Sequence, residues 1–141
     1  VSEEAQRAFR LDNEVLAFRF TATLSHRNSP APLERLSGPA RLRLWLAAAG
    51  LDPSRIPATA DVSAAIILRE AIYRLGAAIA HGALPPARDV DTVNAAAAAG
   101  HPIPVLTHAE LRWQLDSPDK LTDALAVIAR DAIITLTSHG A

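Results

Sequence analysis

TADVSAAIILREAIYRLGAAIAHG, residues Thr59 to Gly82, is the longest unbroken helical pattern in the chain, and its reading decides the fold. Ala65, Leu68, Ile72, Leu75 and Ile79 recur in steps of three and four, so a 3.6-residue turn gathers them on one face. Ile66, Ile67 and Tyr73 widen that stripe. A helix apolar around so much of its circumference must be covered from several sides, which predicts a central rod with the rest of the chain packed around it. Thr59 as N-cap, Asp61 in the first turn and His81-Gly82 at the far end mark its limits.

Toward the N-terminus, Leu51 to Ala58 is a proline-bearing connector. Before it, Ser37 and Pro39 open a helix whose Leu42, Trp45, Leu46 and Ala49 share a face, and Gly50 ends it. Asn28 to Pro32, NSPAP, is a loop, because its prolines forbid regular pairing, and Leu33 to Leu36 pairs briefly with the strand ahead of it. In EVLAFRFTATLSH, Glu14 to His26, Leu16, Phe18, Phe20, Ala22 and Leu24 alternate with Ala17, Arg19, Thr21, Thr23 and Ser25, which predicts a strand buried on one face. A helix over Val15 to Leu24 is the competing reading. Asp12-Asn13 is turn chemistry and Phe9 to Leu11 a short partner strand, while residues 1–8 are loose or a short helical turn.

Toward the C-terminus, Leu84-Pro85-Pro86 leads into a helix from Ala87 to Ala99 that stops at Gly100, and its alanine run lets a neighbour come close. His101 to Asp116 returns to alternation, with Thr107 to Glu110 as the loop of a hairpin and Pro102 and Pro104 forcing its first arm to an edge. Ser117-Pro118 opens a last helix, with Leu121, Ala124, Leu125, Ile128, Ala132 and Leu136 on its apolar face and His139-Gly140 at its end. It is the natural partner of the central helix. The expected fold is therefore one α+β domain over 1–141. It has about four main helices around the central one (59–82), a small antiparallel sheet from strands near 14–26, and a hairpin near 103–116.

With 141 residues the chain can bury a real core, but much of its 50% apolar content is alanine, with three Phe, two Trp and one Tyr. The core should be helix-rich and short of large anchors. No apolar run is long enough to cross a bilayer, and the expected compartment is the cytoplasm. There is no cysteine, so no disulfide and no thiolate zinc site can form within these residues. A net charge of −1 argues against the whole domain acting as an electrostatic trap for nucleic acid.

Phosphate loops, nucleophile elbows and HExxH pairs are all missing, which argues against NTPase, α/β-hydrolase and metalloprotease chemistry. His26, His81, His101, His108 and His139 stand at no ligand-like spacing, so no metal site is expected; His81 and His139 suit helix C-termini. Glu70 and Arg74 have the i, i+4 relation of a helix ion pair. Arg69 and Glu70 read either as the polar floor of a ligand cleft or as structural ion pairs. Arg19 lies on the polar parity with Thr21 and Thr23, and His26-Arg27 begins the NSPAP loop. Arg35, Arg41 and Arg43 are the one local basic cluster, a weak nucleic-acid signal without interleaved aromatics.

The order of LAFRFTATL (Leu16 to Leu24), Glu34-Arg35-Leu36, RLRLWLAAAGL (Arg41 to Leu51), ILREAIYRL (Ile67 to Leu75), Leu84-Pro85, Val93-Asn94 and IARDAIITL (Ile128 to Leu136) resembles the ABATE domain. That domain is the N-terminal part of bacterial CGNR zinc-finger proteins, regarded as stress-induced transcription regulators. Two departures stand out. Arg19 and Ala22 occupy the places of the Asp and Asn in the family's LxLDFVNTL segment, while Phe20, Thr23 and Leu24 match. The family also continues into a cysteine-rich finger. The resemblance therefore implies that DNA contact and zinc belong to a finger absent from these residues, either missing from this piece or never attached.

The resulting expectation is a non-enzymatic sensor or interaction domain of a transcription regulator. A small ligand or a second copy would engage a cleft near Arg19, His26, Arg69, Glu70 and Tyr73, and the last helix would pass the change onward. The rivals are a dimerisation module without ligand, and a small-molecule enzyme using Glu70 with His26 or His101.

Overall fold

The computed structural model describes residues 1–139, without the side chain of His139. The helix-stop roles expected of that side chain and of Gly140 lie outside the described residues. Six helices and two small sheets follow one another as α1 (Glu3–Ala8), α2 (Leu16–Thr21), β1 (Leu24–Ser25), β2 (Leu33–Glu34), α3 (Pro39–Ala48), α4 (Thr59–Ala80), α5 (Ala87–Ala98), β3 (Pro102–Thr107), β4 (Glu110–Leu115) and α6 (Lys120–His139). The fold is α+β, as expected.

The long helix α4 is central: it packs against α2, α3, α5 and α6 and buries Val62, Ala65, Leu68, Ala71, Ile72 and Leu75. Its start is set by Asp61, whose carboxylate accepts the Ala58 N–H at 2.7 Å, so Ala58 and not Thr59 is the N-cap. The apolar stripe is narrower than its composition suggests. Ile67 is 59% exposed, whereas Arg69 is only 1% exposed and lies among the core residues. Helix α6 is the second pillar and packs against α2, α4, α5 and the hairpin through residues that include Leu121, Ala124, Ile128 and Ala132. The alanine run of α5 permits close approach: the Arg130 side chain reaches the carbonyl of Ala97 at 2.8 Å. On α3, with Gly38 rather than Ser37 as N-cap, Leu42, Trp45 and Leu46 are buried, and the Trp45 ring meets Phe20 at 5.2 Å between centroids.

The strand expected over 14–26 is confined to Leu24–Ser25; what precedes it is a helix. Burial there recurs every third residue, at Ala17, Phe20 and Thr23, although Leu16, Phe18 and Phe20 also satisfy alternation. Six residues do not hold a helix by themselves. Two acceptors meet the free N–H groups at its start: Asn13 takes that of Val15 at 2.8 Å, and Asp131 of α6 takes that of Ala17 at 2.9 Å. The expected pairing with the segment after NSPAP does form, with Leu24 opposite Glu34 and Ser25 opposite Leu33. Phe9 to Leu11 is not a strand; Phe9 ends α1 and is buried. Residues 3–8 form a helix capped by Ser2 and packed on α3 rather than a loose tail.

The hairpin β3–β4 closes through His108 and Ala109, both with positive φ (49° and 67°), as a two-residue type I′ turn demands. Ala109 suits that conformation poorly, and His108 less well than an asparagine would. His108→Asn with Ala109→Gly is therefore expected to raise stability by about 1 kcal/mol, read as a higher denaturant midpoint. At the other end of the hairpin, the fully buried Asp123 of α6 accepts from the His101 N–H (2.6 Å), the Ser117 N–H (2.7 Å) and the Ser117 hydroxyl (2.7 Å). One carboxylate thus holds both ends of the hairpin to α6. Gly100 beside it has φ +71°, and a Cβ there would collide with the Asp123 carboxylate.

Candidate functional site

The polar residues of α4 gather into one network. Arg69 donates from Nη1 and Nη2 to both oxygens of Glu34 (2.6 and 2.8 Å), from Nε to Glu70 (2.8 Å), and from Nη1 to the Thr23 hydroxyl (3.3 Å). Glu70 is clasped from its other side by Arg27, with bonds of 2.7 and 3.0 Å. Arg27 also donates to the Thr21 carbonyl and lies over the Tyr73 ring, 3.8 Å from its centroid. Burial opposes the Arg69 charge, but Glu34 and Glu70 outweigh it and raise its affinity for the proton. Burial likewise opposes the Glu70 charge, and Arg27 and Arg69 hold its carboxyl below the usual range. These groups fasten α4 to β2 and to the segment following β1.

Beside this network, between α2, the C-terminal half of α4 and α6, lies a groove of about 670 Å³. Phe18, Ile72, Ile79 and Leu136 supply its apolar walls, and Gly76 and Ala77 leave the α4 backbone thinly covered. Tyr73, whose ring carries Arg27, forms one side; Thr21, His81 and Thr135 are its other polar members. A Cβ at Gly76 would meet only the Leu136 side chain, at 3.8 Å, which is ordinary contact. Gly76→Ala is thus expected to stabilise the domain by about 0.5–1 kcal/mol through helix propensity, measured by chemical denaturation.

Of the residues expected to form a ligand cleft, Arg19, His26, Arg69, Glu70 and Tyr73, only Tyr73 lines the groove. Arg69 and Glu70 are joined to each other, to Glu34 and to Arg27. The expected Glu70–Arg74 pair does not form; Arg74 instead makes two 2.9 Å bonds to Asp89, at the start of α5. Arg19 sits on α2 outside the groove, its Nε buried without a hydrogen-bond partner among the described residues, and Ala22 is the C-cap of that helix. His26 is exposed in a left-handed turn (φ 57°), and neither it nor His101 hydrogen-bonds to Glu70. Arg35 is tied to Ser25 and to the Ala8 carbonyl, and Arg43 to Asp52, while Arg41 is exposed. Arg41 and Arg43 line one shallow depression together with Glu4 and Asp52. Among the described residues no group of three or more His, Asp or Glu is placed to hold a metal ion.

Thr135 and Asp89 escaped the sequence reading, and Arg27 was read there only as the start of the NSPAP loop. Thr135 had a signal, since it continues the apolar series Ile128, Ala132 at helical spacing. The role of Arg27 had no local signal, because Glu70 and Tyr73, which its guanidinium engages, lie 43 and more positions away.

Fold and site together define a small helical α+β domain whose inward-facing charges hold its elements together and which carries a mainly apolar groove between α2, α4 and α6. No helix among the described residues is long and apolar enough to cross a membrane. The chain belongs to the ABATE family, described as "Putative stress-induced transcription regulator", whose profile matches residues 14–139. No curated protein and no solved structure matches it.

Proposed function

We propose that this domain is the sensing module of a bacterial, cytoplasmic transcription regulator: a small molecule occupies the α2–α4–α6 groove, and α6 carries the change to a DNA-binding zinc finger that follows it. The observation that carries this reading is that α6, the helix that would lead to such a finger, supplies Thr135 and Leu136 to the groove wall. The volume suits a small ligand. Catalysis is not part of the reading, since both oxygens of Glu70 are engaged by arginine. DNA contact belongs to the finger. The domain by itself should show no measurable affinity for duplex DNA at physiological salt, and tight, salt-dependent binding would overturn that division of labour.

A second reading, a dimerisation module, is favoured by one feature. Leu106 and Leu111 stand opposite each other on the hairpin, 81% and 64% exposed. It requires a concentration-dependent mass that disappears in Leu106→Lys with Leu111→Lys.

A further inference from the structure

We propose that the groove takes an uncharged, mainly apolar molecule bearing a single hydroxyl or carbonyl group, which the Thr135 hydroxyl meets on the α6 wall. The inference rests on the groove being the ligand site and names the chemistry it selects.

Three observations carry it. No Arg, Lys, Asp or Glu lines the groove, so a charged ligand entering it would give up water without gaining a counter-ion. The Arg27 guanidinium beside the groove wall lies over the Tyr73 ring and is already paired with Glu70. His81, the one titratable base on the lining, is exposed at the C-terminus of α4 and belongs to the rim.

Secondly, Thr135 lines the groove with its residue only 8% exposed, and its hydroxyl, which makes no hydrogen bond among the described residues, is not one of the buried unpartnered atoms and so faces the groove. Its neighbours on α6 behave differently: Thr137 and Ser138 donate back to the carbonyls of Ile133 and Ile134. On the opposite wall the Thr21 hydroxyl is spent on the Phe18 carbonyl. A hydroxyl that lines a groove and is not turned back on its own helix is open to a polar group entering there. Thirdly, Tyr73 is held by Arg27 over its ring, which makes it a fixed flat wall suited to a ring or chain lying alongside.

The test uses 2-naphthol, 2-naphthoate and the naphthylmethylammonium ion as matched neutral, anionic and cationic probes, titrated against the protein at neutral pH. The neutral probe should bind at least about tenfold tighter than either ion. Thr135→Val, which keeps shape and removes the hydroxyl, should weaken the naphthol complex by about tenfold. Gly76→Leu, which places a side chain in the groove, should abolish it while far-UV circular dichroism stays unchanged. Equal or tighter binding of an ion, indifference to Thr135→Val, or no binding of any probe overturns the inference. So does a concentration-dependent mass that Gly76→Leu removes, since a second copy would then cover the groove. Should naphthol bind as expected but leave the DNA affinity of the intact regulator unchanged, the ligand class stands and the sensing role falls. Should naphthoate win and still alter DNA affinity, the reverse holds.

Discussion

Arg69→Leu is expected to lower the unfolding free energy by about 3 kcal/mol, the larger part of the stability of a marginal domain. The loss comes from what remains behind. Glu34 and Glu70 would face each other around an apolar side chain, with Arg27 the one guanidinium left on Glu70. Arg69→Lys should recover little, because one ammonium cannot span the bidentate bond to Glu34 and the Nε bond to Glu70 together. Adding Glu34→Gln and Glu70→Gln to Arg69→Leu should restore part of the loss, since the uncompensated charge is then gone. Urea denaturation followed by Trp45 fluorescence measures all four proteins. A loss as large in the triple variant would mean that packing, not charge, is what Arg69 supplies.

Asp123→Ala is expected to cost about 3–4 kcal/mol, because it strands the N–H groups of His101 and Ser117 and the Ser117 hydroxyl together. The same carboxylate gives a pH dependence. Burial opposes its charge, but the Ser117 hydroxyl, the Ser117 N–H and the His101 N–H outweigh that and hold its carboxyl below the usual range. The unfolded chain therefore binds the proton more readily than the folded one. The contribution is fully present above the ordinary Asp value and is lost as the pH falls through the folded one. Glu70 and Asp89 are lowered in the same sense, the latter chiefly by its bond to Arg74 and against its burial. Acid unfolding should accordingly begin below about pH 4, and Asp123→Ala should flatten the slope of stability against pH in that region.

The helical frame was legible because α3, α4, α5 and α6 each repeat apolar residues over several turns and carry local start or stop residues such as Asp61, Gly50 and Gly100. The hairpin was legible from its alternation and from Pro102 and Pro104. Leu16 to Thr21 was not, because its apolar residues fit both periods and the deciding partner is an aspartate on another helix. The site was less legible than the fold. Arg69 and Glu70 look like exposed helix charges until Glu34 and Arg27 are seen to arrive from the β1–β2 region. Tyr73 was found because it is the single tyrosine on α4, but the groove beside it depends on how α2 and α6 lean together, which no local pattern records.

The bond from Ala17 to Asp131 spans 114 positions, and it gives the order in which the domain can mature on the ribosome. Until the codons for α6 have been translated, Leu16 to Thr21 has Asn13 at its start but lacks the acceptor for the Ala17 N–H. Phe18 and Thr21, one flank of the groove, thus come into place together with Thr135 and Leu136 on the other. A nascent chain released short of Asp131 would have α4 but not the assembled groove.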